Sequence, residues 1–138
     1  GALAAEVIIF FNRSLIKNLS YKQKQTGHVL PRTKFISCQL NAWFENNLWL
    51  KLAGKANENA FKLRSNLEKV KDLDFIYPTH GNELFVKTTK SFLQKMNEQN
   101  IFPKVWFTKN DREIILRFVT SFDTTNALIE EISQRLKK

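Results

Sequence analysis

The stretch Glu113-Ile-Ile-Leu-Arg-Phe-Val-Thr-Ser-Phe-Asp-Thr-Thr125 decides the fold, because its pattern predicts a strand that leads through a polar loop to a helix cap. Successive side chains of a strand point to opposite faces. Alternation therefore gives two apolar sets, one for each face: Ile114, Leu116 and Phe118 on the first, Ile115 and Val119 on the second. Apolar residues on both faces are typical of a strand that is covered on both sides.

Arg117 places a permanent positive charge in this strand, on the same face as Ile115 and Val119. A guanidinium does not lose its proton in proteins, so burying it without an anion costs several kcal/mol. Two sources of the anion remain open. One is a carboxylate of the chain itself, in an internal ion pair. The other is the carboxylate or phosphate of a ligand, held by two parallel hydrogen bonds.

The second half of the chain alternates helix and strand patterns around this stretch. Amphipathic helices are predicted over about residues 48–71, over 90–97, and after a cap at Thr124 or Thr125. Further strands are predicted at 75–77, 83–87 and 104–107. The order helix, strand, strand, helix, strand, strand, helix predicts an α/β fold of the α+β kind, with helices packed on a small, largely antiparallel sheet.

The first half predicts one strand and two helices. Residues 6–11 are apolar on both faces, as in a central strand, yet no comparable strand follows before residue 75. We therefore expect a strand left over from a sheet formed by other parts of a longer protein. The alternative is pairing with the later sheet or with a second copy of the chain. The helices are predicted from a cap at Asn12 or Ser14 to about Gln25, and over 33–46.

Composition excludes several classes of site. The single cysteine, Cys38, cannot form an internal disulfide or a thiolate zinc cluster and fits a reducing compartment. The longest apolar run, near the start of the chain, is interrupted by Glu6 and too short to span a bilayer, so we expect a soluble cytoplasmic protein. No metal-ligand spacing and no phosphate-loop glycine motif is present, and His80 reads as a loop residue. The net charge of +9 comes from lysines spread along the chain, so we expect no nucleic-acid partner; a basic nucleic-acid-binding domain remains the weakest alternative.

A second candidate site lies at the predicted break after the first helix. Lys24, His28 and Arg32 bracket Gly27, and cationic or titratable side chains around a glycine turn can face an anion. A solvated turn is the other interpretation of the same residues.

Several motifs, taken in order, resemble the carboxyl-terminal part of the low-specificity L-threonine aldolases, within the aromatic amino acid β-eliminating lyase and threonine aldolase group. The resemblance covers essentially the whole chain. The segments that carry it are Gly1-Ala-Leu-Ala-Ala-Glu-Val-Ile-Ile-Phe-Phe-Asn-Arg13, Lys24-Gln-Thr-Gly-His28, Arg32-Thr-Lys-Phe-Ile-Ser37, Leu48-Trp-Leu-Lys-Leu-Ala53 with Ala56-Asn57, Asn82-Glu-Leu-Phe-Val86 and Arg117-Phe-Val-Thr-Ser-Phe-Asp-Thr-Thr125.

The resemblance implies the aspartate-aminotransferase fold and a pyridoxal 5'-phosphate enzyme that cleaves β-hydroxy-α-amino acids such as threonine or allo-threonine to glycine and an aldehyde. The cofactor serves as the electron sink for the carbanion. Arg117 matches the family's arginine for the substrate carboxylate. Lys24, His28 and Arg32 match a segment near the active site at a subunit interface of the family's homodimers or homotetramers, and are expected to bind the cofactor.

The same resemblance implies a division of the chain: residues 1–30 as a remnant of the large cofactor-binding domain, 31–71 as interdomain helices, and 72–138 as the small carboxyl-terminal domain. The family's Schiff-base lysine falls just before the position of Gly1. We therefore expect no catalytic residue and no bound cofactor in this chain, and activity only in the intact protein. The alternative is a non-catalytic interaction module that dimerises through its first strand.

Overall fold

The structure is a computed structural model that describes residue 3 and residues 5–29, 31 and 33–137. The chain divides into two compact units, Gly1–Trp49 (unit 1) and Leu50–Lys138 (unit 2). Each unit is described by itself.

Unit 1 contains short helical segments, and Asn18, whose backbone is left-handed, separates the first two. A 3-10 helix, Arg13–Ile16, is followed by α1, Leu19–Gln25, and then by α2, Thr33–Phe44, with a 3-10 turn at Glu45–Asn47. The Oδ1 of Asn12 accepts a hydrogen bond from the backbone N–H of Ser14 at 2.9 Å, which confirms the predicted cap. The predicted helix over 14–25 is interrupted at Asn18, where φ is +60°, a value that asparagine tolerates better than most residues.

The predicted strand over residues 6–11 is wrong for this chain. Residues 5–10 belong to no helix or strand, and Ile8 and Phe11 are 77% and 95% exposed. The alternative that this segment pairs with the later sheet is wrong as well, because that sheet consists of four later strands. Its apolar pattern describes a strand that needs neighbours on both edges, and the described residues supply none.

Unit 2 has the predicted order of elements. Helix α3, Leu48–Leu67, leads to β1, Asp74–Phe75, and β2, Glu83–Thr88; α4, Lys90–Glu98, and β3, Lys104–Asn110, follow; β4, Glu113–Val119, and α5, Asn126–Leu136, complete the unit. The sheet has the order β1-β2-β4-β3, and every pair is antiparallel. Thr125 caps α5 through a hydrogen bond from the N–H of Leu128, as predicted.

The core lies between one face of the sheet and the helices of unit 2. Residues Ile114, Leu116 and Phe118 of β4 are buried with Leu84 and Val86 of β2. Helices α3, α4 and α5 contribute Ala60, Leu63, Leu67, Phe92, Met96, Ile129 and Leu136, and the connecting segments add Val70, Leu73 and Ile101. The first face of β4 is therefore the core face that alternation predicted.

The second face of β4 departs from the prediction of two-sided coverage. Val119 is 54% exposed, and Ile115 and Arg117 are only half-buried. The neighbouring strand β3 leaves two aromatic residues exposed on this open face as well, Trp106 and Phe107. The sheet of unit 2 is thus covered on one side by the described residues of that unit.

Candidate functional site around Arg117

Arg117 lies on an inner strand of the sheet. The register pairs it with Phe85 on β2 and with Lys104 on β3. Directly opposed residues of antiparallel strands share a face, so Lys104 brings a second cation to the open face beside Arg117. Lys104 makes no ion pair with the described residues.

The chain itself supplies an anion for Arg117. The Nη1 of Arg117 lies 3.3 Å from Oε1 of Glu83 at the start of β2, and the two side chains are 29% and 42% exposed. Charge-assisted hydrogen bonds of this type are usually 2.7–2.9 Å long. The contact is therefore a single, long ion pair on an open surface, of a kind that contributes about 0–1 kcal/mol to stability.

This pair changes the argument for an external anion. The sequence pattern predicted that Arg117 is enclosed in apolar surroundings, and it is not. Because Glu83 already supplies an anion, the partial burial of Arg117 does not by itself require a ligand. Two surface hollows in the described part of unit 2 also lie away from Arg117, one beside the β3–β4 turn and the other between the α4–β3 connection and α5. The role of Arg117 as a carboxylate ligand stays a prediction.

Aromatic side chains form a row along the open face next to Arg117. The Cζ of Arg117 lies 4.8 Å from the ring centroid of Trp106, within the range of a cation–π contact. The ring of Trp106 meets Phe85 edge to face at 5.7 Å, and Phe85 meets Tyr77 at 5.9 Å. A register shift between Val105 and Phe107 makes Trp106 the extra residue of a bulge, and bulges re-aim side chains.

One nitrogen of Arg117 is closed off. Its Nε is buried and has no hydrogen-bond partner among the described residues. A ligand that grips an arginine from the side uses Nε and one Nη together. In the present conformation a two-point contact with this guanidinium must therefore use its Nη1–Nη2 end.

A buried polar network fixes the loop that follows β4. The Nδ2 of Asn59, fully buried on α3, donates to the backbone carbonyls of Ser121 and Thr124, each at 2.9 Å. The hydroxyl of Thr120 donates to the carbonyl of Ala56 at 2.8 Å. Asn82, just before Glu83, donates to the carbonyl of Thr120 at 2.8 Å. The network therefore joins α3 to the ends of both strands that carry the Arg117–Glu83 pair.

Sequence reasoning did not single out Glu83, Trp106 or Asn59. Glu83 lies 34 residues from Arg117 along the chain, and Trp106 lies on the neighbouring strand β3, so the proximity of both to Arg117 depends on strand register. Asn59 had a local signal, since it stands next to Ala60 on the apolar stripe of α3, where a buried amide requires partners.

The second predicted group lies in unit 1. Lys24 is in the last turn of α1, and His28 follows Gly27, whose φ is +75°. The Nδ1 of His28 lies 2.9 Å from Oγ1 of Thr26, and both Lys24 and His28 are exposed. Arg32 lies outside the described residues. Because α1 presents its C-terminal, negative end to this turn, the helix itself does not favour a phosphate there.

The described residues contain no cluster of three or more His, Cys, Asp or Glu side chains arranged to hold a metal ion. None of their helices has the length and apolar character needed to cross a bilayer.

Comparison with known proteins identifies relatives by sequence. The chain is 25% identical over 137 residues to the low-specificity L-threonine aldolase of a Pseudomonas species, and 24% identical over 138 residues to that of Pseudomonas aeruginosa. Both alignments cover 99% of this chain and 38% of the relative, so the chain spans well under half the length of these proteins. No protein-family model matches the chain. The two alignments confirm the resemblance that the motifs predicted.

Solved structures share the fold. Leishmania major threonine aldolase superposes with a TM-score of 0.81 at 22% identity, over 93% of this chain and 37% of that one. The 8-amino-7-oxononanoate synthase of Francisella tularensis superposes with a TM-score of 0.61 at 17% identity, over 91% and 40%. The predicted fold class is confirmed: the arrangement of helices on an antiparallel sheet occurs in proteins of the pyridoxal-phosphate-dependent transferase fold.

Proposed function

We propose that this chain, which is homologous to the low-specificity L-threonine aldolases, is the carboxyl-terminal part of a pyridoxal-phosphate-dependent lyase. The intact protein cleaves threonine or allo-threonine to glycine and an aldehyde. The observation that carries the proposal is sequence similarity over nearly the full length of the chain to two enzymes of that name. The chain alone is expected to be inactive.

Within the intact lyase, residues 1–30 belong to the large domain, 31–71 to the helices between domains, and 72–138 to the small domain. The exposure of Ile8 and Phe11 supports this division, because an apolar segment of this kind requires cover that the described residues do not supply. The open face of the sheet of unit 2 has the same requirement.

The cofactor is held mainly by the remainder of the intact protein. Lys24 and His28 are exposed on a turn, and neither residue lines either of the two surface hollows described above. They do not fit the cofactor as a complete site, so no chemical step is assigned to them. Lys24, His28 and Arg32 are proposed as residues that approach the cofactor of a partner subunit in a homodimer or homotetramer.

Arg117 is proposed as the group that binds the substrate carboxylate. Its Nη1 makes one long contact with Glu83, Lys104 adds a second positive charge on the same face, and the ring of Trp106 restricts how the guanidinium can turn. An arginine held in this way can offer two parallel N–H groups to a carboxylate. Binding of the carboxylate orients the amino acid, while the bond that breaks lies at the other end of the substrate.

The test uses the intact protein, that is, the full product of the gene that encodes this chain. We expect a lysine codon just before Gly1, bound pyridoxal phosphate, and release of acetaldehyde from threonine or allo-threonine. Arg117→Lys should raise KM about tenfold or more with a smaller effect on kcat, because the two-point grip is lost. Arg112→Lys, the same change on the exposed β3–β4 turn, is the matched control. Absence of cofactor and of cleavage would refute the proposal; an unchanged KM in Arg117→Lys would remove Arg117 from this role.

The exposed segment at residues 7–11 favours a second candidate, an interaction module that dimerises by strand pairing. This candidate predicts that the 138-residue chain sediments as a dimer and that Ile8→Asp makes it monomeric. Phe102→Asp, at an exposed aromatic residue of unit 2, is the control. A monomer at all concentrations would exclude it.

A further inference from the structure

We propose that Glu83 is a resident competitor for the substrate carboxylate: it pairs with Arg117 in the empty site and is displaced when the amino acid binds. The inference rests on the proposed function, since it assumes that Arg117 receives the carboxylate. It assigns to Glu83 a part in setting the affinity for the substrate.

The register explains why Glu83 reaches Arg117. Glu83 is paired with Val119, two residues beyond Arg117 on β4, so it is the diagonal neighbour of Arg117 on the open face. Its carboxylate approaches the Nη end of the guanidinium. A substrate carboxylate that binds this end would contact the same nitrogen.

The surroundings of the other Arg117 atoms limit how a ligand carboxylate can bind the guanidinium. Nε is buried without a partner, and the ring of Trp106 lies 4.8 Å from Cζ. A two-point grip in this conformation must therefore use Nη1 and Nη2, and Nη1 is the atom that now contacts Glu83. The incoming carboxylate cannot form both bonds until Glu83 moves away.

The pair is weak enough to exchange. It consists of one contact of 3.3 Å between partly exposed side chains, and water can replace Arg117 as the partner of Glu83. After displacement, the substrate carboxylate faces two cations, Arg117 and Lys104, whereas Glu83 forms one contact with one of them. The two positive charges thus favour replacement of Glu83 by the substrate carboxylate.

The test compares Glu83→Gln with Glu113→Gln in the intact protein. Glu113 has the same side chain, lies on the same strand and face as Arg117 about 13 Å away, and pairs with Lys109 at 3.2 Å. Removing the competitor should lower both the KM for threonine and the Kd for glycine, measured by calorimetry, by about two- to fivefold, the range expected for an exposed pair. Glu113→Gln should change neither value, and thermal denaturation should show that both variants fold.

The outcomes separate this inference from the proposed function. If Glu83→Gln raises KM and Kd or leaves them unchanged, while Arg117→Lys raises them, Arg117 binds the carboxylate but Glu83 does not compete, and the inference is overturned. If Arg117→Lys also leaves both values unchanged, the proposed role of Arg117 fails first. Equal decreases in Glu83→Gln and Glu113→Gln would indicate a general effect of net charge and would overturn the inference as well.

Discussion

The ring of Trp106 lies across the guanidinium of Arg117, 4.8 Å from Cζ, and is itself held edge to face by Phe85. An aromatic face attracts a cation, and the flat guanidinium loses freedom to rotate when a ring lies against it. Trp106 is therefore a positioning residue for Arg117, although it stands on the edge strand and 56% of its surface is exposed.

Replacing Trp106 by leucine should weaken binding of the amino acid in the intact protein. Loss of the stacking surface lets the guanidinium turn, so we expect KM to rise about three- to tenfold with kcat little changed. Trp106→Phe keeps an aromatic face and should recover most of the affinity. Phe107→Leu, at the next exposed aromatic residue of β3, is the control. Equal effects of the leucine and phenylalanine substitutions at Trp106 would argue for a merely structural role.

Asn59→Ala should destabilise the chain by about 1–3 kcal/mol. The substitution removes a buried donor that serves the carbonyls of Ser121 and Thr124, and the loss of a partner in a buried hydrogen bond usually costs about 1–3 kcal/mol. The loss of the unpaired Oδ1 of Asn59 offsets part of the cost. Urea denaturation measures the change, and Asn57→Ala, exposed on the same helix, should stay within about 0.5 kcal/mol. Equal destabilisation by the two substitutions would contradict the network.

The part of the fold that sequence reasoning predicted depends on local signals. The order of elements in unit 2, the core face of β4 and the cap at Thr125 follow from periodicity and capping within a few residues. The partner of Arg117 does not, because Glu83 becomes its neighbour only when β2 lies beside β4 in one particular register.

Two predictions failed for a related reason. The apolar patterns of residues 6–11 and of the second face of β4 indicate that these surfaces are to be covered, but a pattern does not say what covers them. Residues 6–11 are not covered by the described residues of unit 1, and the second face of β4 is not covered by the described residues of unit 2. The trio Lys24, His28 and Arg32 remains a prediction, since its proposed role depends on a partner subunit.

The acid stability of the chain should depend on Glu58. Hydrogen bonds from Lys62 and then Lys55, with their charges, hold the pKa of Glu58 below its ordinary value of 4.5. A carboxylate with a lowered pKa in the folded state adds stability that is present above the unfolded pKa and is lost as the pH falls through the folded pKa. Glu58→Gln should therefore lower Tm at neutral pH and make the decline of Tm below pH 4.5 less steep.

The control for Glu58 is Glu130→Gln. Glu130 is exposed and makes no ion pair with the described residues, so its substitution should leave the slope of Tm against pH unchanged. Parallel profiles for wild type and Glu58→Gln would mean that water screens the two lysines completely.

Leu116 and Val119 test whether the open face of the sheet is covered in the intact protein. Leu116 is fully buried, so Leu116→Ala should cost about 2–5 kcal/mol in this chain and in the intact protein alike. Val119 lies on the opposite face and is 54% exposed, so Val119→Ala should cost at most about 0.5 kcal/mol in the 138-residue chain.

If the remainder of the lyase packs on this face, the same substitution should cost about 1.5 kcal/mol in the intact protein, because it removes apolar groups from a buried site. Urea denaturation of both proteins measures the four values. Equal small effects of Val119→Ala in the two proteins would mean that the face around Arg117 stays open to solvent, where a single arginine holds a carboxylate only weakly.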